Sequence, residues 1–147
     1  GMQLTNILRD IYEDFKMNRI YVPKSFQIDN SAFKLDNNNI HLKKALINIF
    51  ELSEIYYNSA LIGINYIPLK SRIGIFLSLK LYRYIGLEVI RKFPYSIKNR
   101  VNTSIYKKIF LTIFYSIEFI FYQNFKNKKK HNKELHKAIK HLPYANC

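Results

Sequence analysis

From the start of the chain, apolar residues recur at three- and four-residue steps: Leu4, Ile7, Leu8, Ile11 and Phe15. This is the period of a helix with one buried side, and it predicts a helix over residues 1–18. Pro23 closes the stretch, because its ring and missing N–H do not continue a helix. Residues 24–40 carry Asp29, Asn30, Asp36 and the asparagines at 37–39, and read as a loop with room for a short helix. A second helix is expected over 41–62, with Leu42, Leu46, Ile49, Phe50, Ile55 and Leu61 as its apolar positions. Gly63 and Pro68 punctuate its end. Pro68 also suits the first turn of a third helix reaching residue 92, where a missing N–H costs nothing. Ile73, Phe76, Leu77, Leu81 and Ile85 form the stripe of that helix. Pro94 interrupts, and a fourth helix is expected over 97–125. No strand alternation and no repeat is visible, so the fold class is all-α.

Composition adds a size and a sign. The chain has 147 residues, 48% of them hydrophobic, with only 4 Gly and 4 Pro, which suits one domain of long helices. Its formal net charge of +14 favours anionic partners. Part of that charge sits in segment 126–141, which has seven Lys against one Glu, so the chain divides into a domain at 1–125 and a basic tail at 126–147. A lysine run is commonly a solvated terminus, and nothing resembles a helix-turn-helix or an RNA-binding module, so no nucleic-acid partner is expected. His131, His136 and His141 are five apart, which aligns no helix face and argues against a metal site there. The apolar run 109–122 (IFLTIFYSIEFIFY) is shorter than the ~20 residues that span a bilayer and contains Glu118, so a core helix is expected. The single Cys147 rules out an internal disulfide, and the first residues are polar and charged, unlike a secretory signal. A cytoplasmic protein is expected. Its aromatic, basic C-terminal region also suits peripheral contact with the inner membrane face.

The chemistry concentrates at the start. Gln3, Asn6, Asp10 and Asp14 are spaced by three, four and four, which places all four on one face of a helix. Neighbours in such a row have Cβ atoms about 5–6 Å apart. Two carboxylates and an amide oxygen can then meet one hard cation. Mg²⁺ takes oxygen ligands, keeps several waters, and is often held by one or two carboxylates plus substrate phosphates. Alone, Asp-x-x-x-Asp is weak, since it arises by chance on solvated helix faces.

The surrounding residues are far more specific. Gln3-Leu4-Thr5-Asn6-Ile7-Leu8-Arg9-Asp10, continued by Glu13-Asp14 and by Asn18-Arg19-Ile20-Tyr21-Val22-Pro23, resembles the second aspartate-rich motif of phytoene and squalene synthases. Downstream, Tyr56-Tyr57, Ala60, Gly63-Ile64 and Ile67-Pro68 resemble the same family's next segment. Ser71-Arg72 and Leu81-Tyr82-Arg83-Tyr84-Ile85-Gly86 follow in order. Arg100-Val101-Asn102-Thr103-Ser104 with Lys107-Lys108 is similar to a segment of bacterial phytoene synthases, with Asn102 in place of a small residue. The likeness covers residues 1–109.

The resemblance implies a helical bundle of the isoprenoid synthase type, of which this chain looks like the C-terminal half, with the N-terminal half as its missing partner. It implies head-to-head condensation of two geranylgeranyl diphosphates to phytoene through a cyclopropylcarbinyl diphosphate. A squalene-type reaction on farnesyl diphosphate is the alternative, and a non-catalytic chain binding diphosphate or a membrane surface is a second one. It assigns Asn6, Asp10 and Asp14 to Mg²⁺, with Mn²⁺ as a substitute, and makes NADPH unnecessary for a phytoene synthase. Asp10, Asp14, Tyr82 and Arg100 are the expected catalytic residues. Gln3, Arg9, Arg72, Tyr82 and Arg100 are the expected diphosphate contacts. Family members carry two aspartate-rich motifs, and no second Asp-x-x-x-Asp occurs here.

Overall fold

A computed structural model describes residues 1–23, 40–124 and Glu134. The expected loop at 24–40 lies almost wholly, and the basic tail at 126–147 apart from Glu134, outside the described residues. Among those described are four α-helices and no strand: α1 (Met2–Lys16), α2 (Ile40–Gly63), α3 (Leu69–Arg91) and α4 (Ile105–Asn124). The all-α expectation holds. The helices α1, α2 and α3 pack on one another, and α4 packs on α3.

The stop of α1 is built into its sequence. Asn18 adopts the left-handed region at φ 54°, which Asn tolerates better than most residues. Its N–H donates to the Phe15 carbonyl at 3.0 Å, and the Arg19 N–H donates to the Asp14 carbonyl at 2.8 Å. These two bonds satisfy carbonyls that the last turn leaves open. The same turn carries Asp14, so the helix end and the acidic face are fixed together.

One core cluster joins Leu8 and Ile11 of α1, Leu42, Ala45, Leu46 and Ile49 of α2, and Val89 of α3. Val22 and Val101 close it from the connections. A second joins Ile64, Phe76 and Phe119, with the two phenyl rings 5.2 Å apart and tilted by 57°. Tilted pairs of this kind favour the ring quadrupoles. Gly86 sits where α3 meets α1 and α2: a Cβ there would stand 3.2 Å from the Phe50 ring and 3.5 Å from Thr5 Oγ1.

Three expectations are corrected. The fourth helix begins at Ile105, not 97. A short 3-10 turn (Tyr95–Ile97) and residues outside any helix intervene, and Ser104 Oγ accepts the Lys107 N–H at 3.3 Å as an N-cap. Pro68 is the residue before α3, not within its first turn; its carbonyl accepts from the Ser71 and Arg72 N–H groups. The run 109–122, expected as a core helix, buries only Leu111 and Phe119 among its described side chains, against α3. Ile109, Phe110, Ile113, Phe114, Ile117, Ile120 and Phe121 lie exposed, because among the described helices α4 packs mainly on α3 and leaves its other side open. Ile55, an expected apolar position of α2, and Ile73, expected in the buried stripe of α3, are likewise exposed. Among the described residues no helix is long and apolar enough to cross a membrane.

Candidate functional site

Helix α1 is held against α2 by a buried hydrogen bond between Thr5 Oγ1 and the Tyr57 hydroxyl, 2.7 Å apart. This fixes the rotation of α1 about its axis. The packed side carries Thr5, Leu8 and Ile11, all buried. Asn6, Asp10 and Asp14 are then left half-buried on the other side, with Gln3 exposed at the row's start. The helical row read from the sequence is therefore realised.

Asp10 is not free. Arg9 donates to both of its carboxylate oxygens, Nε to Oδ1 and Nη2 to Oδ2, each at 2.8 Å. From the far side, Arg100 Nε lies 3.1 Å from the same Oδ1, and its Nη1 lies 3.7 Å from Glu13. The Arg9 hydrogen bonds, reinforced by the charges of Arg9 and Arg100, hold the Asp10 carboxyl below the usual carboxylate range despite partial burial. The same bonds raise Arg9 further above its already high value. Two guanidinium groups thus converge on one carboxylate, as bidentate charged pairs favour.

One turn before Asp10, Asn6 Oδ1 is buried and has no hydrogen-bond partner. A buried acceptor left unmade costs about 1–3 kcal/mol, so it marks a place where a donor or cation belongs. The residues present fit a hard cation: an orphaned amide oxygen beside a carboxylate, with a second carboxylate, Asp14, one turn on. Among the described residues no three His, Cys, Asp or Glu side chains gather, so water and phosphate oxygens would have to complete the shell of an ion here.

Beside this face lies a cavity of about 240 Å³ between α1, α3 and α4. Arg9 and Lys108 bring two positive charges to it, Tyr82, Tyr84 and Thr103 bring hydroxyls, and Leu81, Ile85 and Leu111 make the apolar wall. Its size is below the ~300–1,000 Å³ of a drug-sized pocket and suits an anionic headgroup more than a long chain. Lys107 does not line it but lies 4.9 Å from the centre of the Tyr84 ring, fixing that ring from outside. A neighbouring cavity of about 400 Å³ shares Tyr84. It is lined by Phe50, Leu87 and Tyr115 and by Glu54, Lys80 and Arg83. Both of its cations are paired, Arg83 with Glu54 and Lys80 with Glu118, whereas in the first cavity only Arg9 is, with Asp10.

The structure brings Asn6, Arg9, Asp10 and Arg100 together, and Tyr82 joins Arg9 at the cavity. Arg72 is placed elsewhere in role: its guanidinium donates to the Ile67 carbonyl at 2.8 and 3.0 Å and to the Asn65 carbonyl at 2.9 Å, closing the turn before α3. Sequence reasoning gave no role to Tyr84, Thr103 or Lys108. The signal was present, since all three lie within motif segments, but their convergence depends on how α4 packs on α3.

The squalene/phytoene synthase family matches residues 1–107, and the chain belongs to that family. It is 32% identical over 111 residues to the 15-cis-phytoene synthase of Paracoccus sp. (strain N81106 / MBIC 01143), covering 74% of this chain and 36% of that protein. It is 32% identical over 117 residues to the 15-cis-phytoene synthase of Enterobacter agglomerans, covering 77% and 40%. To the 4,4'-diapophytoene synthase of Staphylococcus haemolyticus (strain JCSC1435) it is 35% identical over 113 residues, covering 74% and 39%. The chain thus spans about two-fifths of the length of these relatives. No solved structure matches it.

Proposed function

We propose that this chain supplies one metal–diphosphate wall of a prenyltransferase that joins two prenyl diphosphates head to head, with geranylgeranyl diphosphate as substrate and phytoene as product. The observation that carries this reading is the orphaned Asn6 Oδ1, one turn from Asp10, whose partner Arg9 also lines a cavity with Lys108. Family membership supports the reaction class. In the reaction, one allylic diphosphate leaves, the resulting carbocation alkylates the other substrate's double bond, and loss of a proton closes the ring of a cyclopropylcarbinyl diphosphate. That intermediate loses its own diphosphate in turn, rearranges, and gives up a second proton to become phytoene.

Departure of diphosphate requires that its charge be absorbed beforehand by groups already in place. Arg9 and Lys108 offer two cations from opposite elements, α1 and α4, and Arg100 stands on the far side of Asp10. The hydroxyls of Tyr82, Tyr84 and Thr103 can donate to phosphate oxygens. Asn6, Asp10 and Asp14 would hold Mg²⁺, with Mn²⁺ able to replace it, and the ion would neutralise charge on the leaving diphosphate. Leu81, Ile85 and Leu111 keep water from the apolar side of the cavity.

A second reading concerns substrate length. The relatives include proteins named for two products, 15-cis-phytoene and 4,4'-diapophytoene, so farnesyl diphosphate is the competing substrate. A chimera tests both points: residues 1–107 of this chain replace the matching segment of the Paracoccus enzyme, and each diphosphate is supplied with Mg²⁺. Phytoene from geranylgeranyl diphosphate, lost by about a hundredfold or more in Asp10→Asn, supports the reading. Turnover that is indifferent to Asp10→Asn refutes the site, and preference for farnesyl diphosphate refutes the chain length.

A further inference from the structure

Helix α4 is apolar on two sides. Leu111 and Phe119 are buried against α3, while the opposite side is open. Along that open side Tyr106, Phe110, Ile113, Ile117 and Ile120 recur at steps of four, three, four and three, and each is more than half exposed. Over residues 106–121 an arc of about 140° carries isoleucines and aromatic rings, with no charge and no amide among them. Its area of roughly 1,000 Å² exceeds the ~300–600 Å² of the largest apolar patch on a typical monomer.

A helix apolar on both sides belongs between two packed layers, and alternating steps of three and four are the period at which one helix meets another. A fluid lipid surface imposes no such period. The seam is also graded in size, with aromatic rings at 106 and 110 and isoleucines at 113, 117 and 120. We propose that α4 pairs antiparallel with α4 of a second copy of this chain, across a two-fold axis near Ile113. In that register Phe110 meets the second copy's Ile117, and Tyr106 meets its Ile120, so each ring lies over an isoleucine. A parallel pair would set ring on ring and Lys107 beside its own counterpart. The antiparallel pair instead brings Lys107 toward the negative end of the other helix. A face of this size supplies the ~800 Å² that each partner of a stable complex buries. Pairing leaves the cavity lined by Arg9, Lys108 and Leu111 free, because Lys108 and Leu111 stand on the other side of α4.

Sedimentation velocity of the 147-residue chain tests the pairing. At about 100 μM the chain should sediment at two chain masses, since interfaces of this size bind at micromolar strength or better. Each copy carries +14, so added salt should tighten the pair. A hydrophobic dye, which the open face of a dilute chain takes up, should be displaced as pairs form. Ile113→Lys with Ile117→Lys gathers four like charges in the seam and should weaken pairing by about a hundredfold or more. Ile20→Lys, in the connection after α1, should change it by less than about twofold. Phe110→Lys alone and Ile117→Glu alone should each weaken pairing. Both changes in one chain set lysine opposite glutamate in both halves of the seam, and that chain should pair about tenfold more tightly than either single variant.

A chain that stays at one mass at about 100 μM overturns the pairing. If that single chain co-sediments with vesicles of anionic lipid, the face belongs to a bilayer. If it binds instead the portion of the Paracoccus enzyme that this chain does not match, the face belongs to the rest of a bundle. A pair indifferent to the two lysines lies elsewhere on the molecule, which overturns the proposal as well. Failure of the lysine–glutamate chain to outdo both single variants refutes the antiparallel register. Should the double-lysine variant lose helicity by far-ultraviolet dichroism, the three charge variants decide the matter.

Discussion

Tyr57→Phe isolates the bond that sets the acidic face. It removes one oxygen from a ring that is 2% exposed, and it leaves the Thr5 hydroxyl, 0% exposed, without the partner 2.7 Å away. A neutral hydrogen bond contributes about 0.5–1.5 kcal/mol net, and stranding a buried polar group costs about 1–3 kcal/mol. Thr5 can recover part of this by rotating its hydroxyl toward its own helix backbone. The expected loss is therefore about 1–2 kcal/mol. Thr5→Val alone strands the Tyr57 hydroxyl and should cost a similar amount. The double variant removes both polar groups at once and should cost less than the two singles combined, by about 1 kcal/mol. Urea unfolding followed by far-ultraviolet dichroism gives all four stabilities, and an unchanged slope with denaturant keeps them comparable. Additive costs, or a Tyr57→Phe loss under about 0.5 kcal/mol, would show that this bond does not pin α1 to α2.

Further outcomes follow from the same geometry. Because Asp10 is held below the ordinary carboxylate range, its contribution to stability is fully present above the unfolded value of ~3.9 and is lost as pH falls through the lower folded value; Asp10→Asn should therefore lower stability most at neutral pH, with the difference from the unaltered chain shrinking in acid, so that the acid limb of an unfolding-versus-pH curve flattens. Asn18→Gly should be neutral or slightly stabilising, whereas Asn18→Val should cost about 1–2 kcal/mol by thermal unfolding, since φ 54° is unfavourable for a β-branched residue. Gly86→Val should cost about 1–3 kcal/mol by crowding the Phe50 ring, and a stable variant would mean that α3 can shift from α2. The exposed face of α4 should bind a hydrophobic dye, and Ile113→Lys with Ile117→Lys should lower that binding while helicity is kept.

Much of this was legible in the sequence because it is local. The period of Leu4, Ile7, Leu8 and Ile11 set the packed side of α1, and the opposite row from Gln3 to Asp14 followed from helical spacing. The end of the first helix was expected near residue 18 on account of Pro23, whereas the left-handed turn at Asn18 and its Schellman bonding emerge only in the structure. What escaped was long-range. No spacing rule joins Arg9 to Arg100 across some ninety residues, or Lys108 of α4 to Tyr82 of α3. The apolar run of α4 misled for a related reason. Composition shows that a surface is apolar, but burial depends on what stands opposite, and the described helices cover α4 mainly on the side that meets α3. Arg72 stood in a motif segment like Arg100 did, yet its donors meet turn carbonyls, and only the fold distinguishes the two.

The central claim is that the Asn6–Asp10 face and the cavity beside it receive a cation and a diphosphate as one unit. Amide and arginine side-chain resonances of the isotope-labelled chain, titrated with Mg²⁺ and inorganic pyrophosphate together, test it most directly. The account predicts shifts centred on the Asn6 side-chain amide, Arg9 Nε, Asp10, Thr103 and Lys108, abolished by Asp10→Asn. Shifts confined to other surfaces, or an unchanged response in Asp10→Asn, would contradict it.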